Sequence, residues 1–118
     1  MVLITSASGS STPHALQRYE SARPSGNIVH KILGREDPDV TMRPAQLRRG
    51  TLELVYLDAA SAIAAEELHS RGEVLALAHD VDGISMSYVV GDGDIGRRQD
   101  GSVRSVWIVT VPFQQVLA

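Results

Sequence analysis

The sequence contains no cysteine. Disulfides, thiolate metal sites and a cysteine nucleophile are therefore excluded, and stability has to come from packing. Aromatic residues are scarce: one Trp, one Phe and three Tyr. Because large aromatics carry much of a small core's buried area, the segment that holds them is expected to centre it. No apolar run approaches the ~20 residues that a membrane helix requires. Met1-Val-Leu-Ile4 is too short for a signal-peptide core and has no basic residue before it. A net charge of −3 supplies no basic excess for nucleic acid or for an anionic membrane surface. With 118 residues, 43% of them hydrophobic and 21% charged, the chain reads as one soluble globular domain made in a cytoplasm.

The longest strand-like run is Ser105-Val-Trp-Ile-Val-Thr-Val-Pro-Phe113, which holds the only Trp and the only Phe. Trp107, Val109, Val111 and Phe113 fall on one side of an extended strand, and Val106, Ile108 and Thr110 on the other. Both sides are mostly apolar, so both are expected to be covered, with the core centred on this strand. Pro112 lacks an amide proton and is expected at the strand's end or on an edge.

Residues 1–26 differ from the rest. Thr5-Ser-Ala-Ser-Gly-Ser-Ser-Thr-Pro13 and Ser21-Ala-Arg-Pro-Ser-Gly26 are small, polar and poor in core formers. Ordering a backbone costs roughly 1–2 kcal/mol per residue, which such a segment does not offset alone. It is expected to be a mobile arm, with Met1, Val2, Leu3 and Ile4 as an apolar docking tip.

From residue 27 the pattern is that of a β domain. Asn27-Ile-Val-His-Lys-Ile-Leu33 reads as a strand, Gly34-Arg-Glu-Asp-Pro-Asp39 as a turn-rich loop, and Val40-Thr-Met-Arg43 as a short extended piece. Thr51-Leu-Glu-Leu-Val-Tyr-Leu57 alternates, with Leu52, Leu54 and Tyr56 on one face. Asp58 stands where a helix N-cap belongs. The helix expected over residues 59–71 is alanine-rich and free of Gly and Pro. Ala60, Ile63, Ala64 and Leu68 form its expected apolar face, and Gly72 is suited to end it. Glu73-Val-Leu-Ala-Leu-Ala-His79 and Ile84-Ser-Met-Ser-Tyr-Val-Val90 are further strands. The second alternates apolar residues, Met86 and Tyr88 among them, with serine. Residues 91–101 read as a loop before the final strand. The order predicts a mainly antiparallel β-sandwich or barrel with one packed helix.

The motifs that carry chemistry elsewhere fail here on context. Gly91-Asp-Gly-Asp-Ile-Gly96 matches G-x-G-x-x-G, but a dinucleotide site needs a helix to begin there. Arg97-Arg-Gln-Asp-Gly101 and then a strand follow instead, so a glycine-rich turn is the better reading. Asp80, Asp82, Asp92, Asp94 and Asp100 do not supply the offsets or the closing Glu of a calcium loop. No two of His14, His30, His69 and His79 have helical zinc spacing, and no Ser lies in a G-x-S-x-G elbow. We expect no catalytic, cofactor or metal site. Arg48-Arg49 and Arg97-Arg98 are paired cations in loops, suited to bidentate contacts with a neighbouring subunit's carboxylates.

Residues 27–116 resemble minor tail proteins of long-tailed bacteriophages of actinobacterial hosts, the distal tail or tail-tip ring proteins in particular. The resemblance is carried by Gly50-Thr-Leu-Glu-Leu leading into Asp58-Ala-Ala-Ser-Ala-Ile-Ala-Ala-Glu-Glu-Leu68, then Ser87-Tyr-Val-Val-Gly-Asp92, then Val106-Trp-Ile-Val-Thr-Val-Pro-Phe113. It implies a tail-tube-like β-sandwich with one helix. It also implies a homo-oligomeric ring, usually hexameric, in the virion tail, linking tail tube to tip or baseplate. Expected partners are further copies and other tail proteins, with no nucleic acid and no membrane. The chain is shorter than the larger distal tail proteins and lacks room for their additional domains. A tail-tube or tail-completion role is the nearest alternative. A small-ligand-binding β domain, which would need a concave apolar pocket, and an enzyme subunit are alternatives of other classes.

Overall fold

The computed structural model describes residues 2–117. In chain order these form β1 (Val2–Ser6), β2 (Gly9–Ser11), β3 (Ala15–Ala22), β4 (Ile28–His30), β5 (Asp39–Thr41) and β6 (Arg49–Tyr56). Then come α1 (Ala59–His69), β7 (Leu75–His79), β8 (Met86–Val90), β9 (Gly96–Gln99) and β10 (Trp107–Gln115). The fold is mainly β and antiparallel with one helix. One eight-stranded sheet runs β2-β1-β7-β8-β10-β6-β3, with β9 also paired to β10, and β4–β5 form a separate hairpin.

The two ends of that sheet order, β2 and β3, are joined by only residues 12–14. Three residues bridge little more than ~13 Å. The sheet must therefore curl until its ends nearly meet. The Ser11 hydroxyl and the Tyr56 hydroxyl hydrogen-bond at 2.7 Å across this closure, and the His14 amide donates to the Val55 carbonyl at 2.8 Å.

Alternation places one face of β1, β6, β7, β8 and β10 inside. Leu52, Leu54 and Tyr56 of β6 lie beside Val109, Val111 and Phe113 of β10. Met86 and Tyr88, then Leu75 and Leu77, then Val2 and Ile4 continue the same face through β8, β7 and β1. The helix closes over it with Ala62, Ala65 and Leu68. Small side chains let its backbone approach the sheet. Asp58 is the N-cap, accepting from the Ser61 amide at 3.2 Å.

Several expectations from the sequence are corrected. Residues 2–22 are not an arm: β1, β2 and β3 belong to the main sheet, and Val2 and Ile4 are core residues. Pairing with β7 supplies the burial that the segment lacks alone, with Ile4 opposite Leu77. Leu3, on the other face, is half-buried, and Met1 lies outside the described residues. The helix ends at His69, two residues earlier than expected, capped by Ser70, whose hydroxyl and amide both donate to the Glu66 carbonyl. Its buried face is Ala62, Ala65, Leu68 and His69, so Ile63 points to solvent at 41% exposure. Trp107 sits at the rim of the core, half-buried, whereas Phe113 is at its centre. On the reverse face of β10 only Ile108 is buried; Thr110 and Pro112 are half-buried.

Pro112 is inside β10, not at its end. Its carbonyl accepts from the Gly91 amide at 2.9 Å, so its polar edge faces the side where β9 gives way to β8. A residue's N–H and C=O point to the same neighbour in an antiparallel ladder. The missing amide proton would therefore have pointed to that side, where β10 passes from β9 to β8.

Candidate interaction surface

Between β3 and β6 the chain leaves the body. Ala22 and Arg49 are directly paired in adjacent strands, so residues 23–48 form an excursion out of one hairpin. Its inner segment has just three cross-strand pairs, Ile28 with Thr41, Val29 with Val40 and His30 with Asp39. The molecule measures 61 × 34 × 26 Å with a radius of gyration of 18.0 Å. A compact chain of this length would have roughly 13–14 Å. The excursion accounts for the difference: from residue 23 to 46 every residue but Pro24, Gly26 and Ile32 is exposed.

Local chemistry shapes this arm. Gly26 takes a left-handed φ of 76°, and a Cβ there would meet the Pro44 carbonyl oxygen at 2.8 Å. The Gln46 amide donates to the Pro24 carbonyl at 2.8 Å, and the Arg43 amide to the Asn27 side-chain oxygen at the same distance. At the tip the Arg35 amide donates to the Ile32 carbonyl, Gly34 has φ 83°, and Arg35 pairs with Asp37 and Asp39. A two-stranded hairpin is marginal in water without a surface to lie on. This one nevertheless presents Val29, Leu33, Val40 and Met42 to solvent, Leu33 fully and Met42 at 82%.

The root of the arm, in contrast, is pinned. Arg48 donates from its guanidinium to the Tyr19 hydroxyl at 2.8 Å, to the Gly83 carbonyl, and to Gln115 Oε1 at 3.1 Å. Its amide donates to the same Oε1 and its carbonyl accepts from the Gln115 amide at 2.7 Å. One side chain thus ties β3, the loop before β8 and the end of β10 together where the arm departs.

Beside the root lies a groove of roughly 620 Å³ on the outer face of the sheet. Gly50, Ala22, Val89, Pro112, Arg49 and Asp92 are among the residues that line it. Gly50 is obligatory: a Cβ there would stand 1.8 Å from the Glu20 carbonyl oxygen.

The arginine pairs divide. Arg97 is used within the subunit, lying 5.5 Å over the Trp107 ring and 2.8 Å from Glu66. Arg98 pairs with Glu53 at 3.0 Å, which Arg18 also approaches. Arg48 is the clamp just described. These three make contacts within the subunit, though Arg97 and Arg98 stay exposed, and Arg49 lies exposed in the lining of the groove. The G-x-G-x-x-G stretch does not open a helix; Gly96 starts β9 and Gly91 packs 3.3 Å, measured from a notional Cβ, from the Phe113 backbone. Among the described residues no three His, Asp or Glu side chains group as a metal site, and no helix is long and apolar enough to cross a membrane.

The arm was legible only as strand, turn and extended piece. Its exposure was not, because an apolar alternation does not tell whether a partner face lies in the same chain. Comparison with protein-family models and with curated proteins finds no match.

Proposed function

We propose that the chain is a structural subunit that assembles with copies of itself into a closed ring, most simply of six, in the tail of a bacteriophage. In this reading the ring sits at the distal tail and joins the tube to the tip or baseplate, and the role is architectural rather than catalytic. One observation carries it. A rigidly rooted arm projects apolar side chains that no part of its own chain covers. Ordered apolar surface of this kind is stable when another surface buries it, and copies in cyclic array give every arm the same neighbour. The resemblance of residues 27–116 to tail-tip ring proteins supports the same reading. Native mass spectrometry of the purified chain at increasing concentration tests it, together with reconstruction of assembled tails. A discrete closed oligomer is expected. A chain that stays monomeric and makes no homotypic contact in the particle would sink it.

A further inference from the structure

We infer that the groove beside Gly50 is the receptor for the arm tip of a second copy of this chain. The inference rests on the ring reading and adds to it the pair of surfaces that meet.

The two surfaces match in chemistry. The groove is mixed in character: Ala22, Val89 and Pro112 give it apolar patches, Arg49 a cation and Asp92 an anion. The tip presents Leu33, fully exposed, between Lys31 and Glu36. Arg35 is already paired with Asp37 and Asp39. Leu33 suits the apolar patch of Val89 and Pro112, Glu36 is opposite in charge to Arg49, and Lys31 is opposite in charge to Asp92. A volume of roughly 620 Å³ admits a few side chains of the tip but not a folded element.

The match cannot be made within one molecule. The groove lies at the root of the arm, beside Ala22 and Arg49, and the tip stands about a dozen residues out along the hairpin, up to ~40 Å away. The molecule's two shorter extents are 34 and 26 Å, so an arm of up to ~40 Å spans one neighbour when copies stand side by side. Donor and acceptor surfaces differ, so the contact is heterologous and repeats from copy to copy until it closes. The pinning of Arg48 fixes the angle at which each arm leaves, and with it the direction of propagation.

Charge reversal and crosslinking test the pairing. Arg49→Glu and Glu36→Lys are each expected to lower the oligomeric fraction at least tenfold while the far-ultraviolet circular dichroism stays unchanged. In each variant alone the facing charges repel. Mixed in equal amounts they attract at every contact, so the mixture should regain the ring if the copy number is even, and the double variant should regain it in any case. The lack of native cysteine makes the crosslinking experiment clean. Leu33→Cys mixed with Val89→Cys should give an intermolecular disulfide dimer on mild oxidation, and Leu33→Cys with Ser102→Cys, far from the groove, should not. A wild-type chain that remains monomeric removes the ring and the groove together. A wild-type oligomer that neither charge reversal weakens, and in which the Leu33→Cys and Val89→Cys chains form no mixed disulfide, leaves the ring standing and overturns the groove.

Discussion

His69 Nε2 and the Tyr88 hydroxyl lie 2.8 Å apart in the core, while His69 Nδ1 lies 2.8 Å from the Ala65 carbonyl. A carbonyl only accepts, so Nδ1 carries the proton, Nε2 is bare and Tyr88 donates to it. A second ring proton would force the Tyr88 hydroxyl to turn and accept, and burial disfavours the added charge, lowering the His69 pKa from its usual value.

Acid should destabilise the fold through His69. The unfolded chain binds a proton near pH 6.5 that the native site refuses, so stability is full above that value and falls as pH drops below it, by at most about 1.4 kcal/mol per pH unit. Urea midpoints at pH 7.5 and 5.5 measure the slope. His69→Gln should flatten it; an unaltered slope would take His69 out of the acid response.

Tyr88→Phe keeps the ring that packs against Phe113 and removes the only donor to Nε2. Leaving a buried acceptor unpaired costs about 1–3 kcal/mol. A thermal melt checks it.

Phe113→Ala should cost about 3–5 kcal/mol and Trp107→Ala distinctly less, because a half-buried side chain leaves a smaller dry cavity. Trp107 still lies under the Arg97 guanidinium, so some loss is expected. Equal losses in chemical denaturation would return Trp107 to the centre of the core.

Gly50→Ala should be more damaging than most single changes, at about 3 kcal/mol or more, since backbone rather than a movable side chain occupies the place of its Cβ. Insolubility or a much lowered melting temperature is the expected readout. Wild-type behaviour would mean that β3 and β6 can separate at no cost.

Replacing residues 24–46 by a short Gly-Asn turn should leave the fold and remove self-assembly. Ala22 already faces Arg49, so the excision turns an excursion into an ordinary hairpin. Ile4→Ala, in contrast, should cost about 2–5 kcal/mol as a core truncation. Circular dichroism, melting and native mass together separate the two outcomes.

Alternation made β6, β8 and β10 readable, and the Asp58 cap with its alanine run made α1 readable. The strands that escaped had physical reasons to. In β3 a bulge between Leu16 and Arg18 lets Leu16 and Tyr19 both face the core at a spacing of three, which breaks the two-residue period. β2 and β9 are built from Gly, Ser, Arg and Gln and owe their existence to the strands beside them. Val2 and Ile4 form a pattern too short to weigh until β7 is seen to receive it. The expected helix face was one position out of phase because so many alanines satisfy either phase; Leu68 is common to both. For the candidate site, Arg49 stands among four arginines that look alike in sequence, since only contacts tell a clamp from an exposed charge.

The placing of β1 beside β7 also bears on how the molecule comes to exist. Ile4 rests against Leu77, and β3 rests on β6 across the whole arm. Contacts between segments so far apart in sequence make folding slow and nearly all-or-none. As the chain is synthesised, β1 has only the short β2 beside it until β7 arrives, and the hairpin of β3 and β6 waits for β10. The late closure of the sheet keeps the groove wall of Val89 and Pro112 unformed until the end, so an arm tip finds its receptor only on a neighbour that has completed folding.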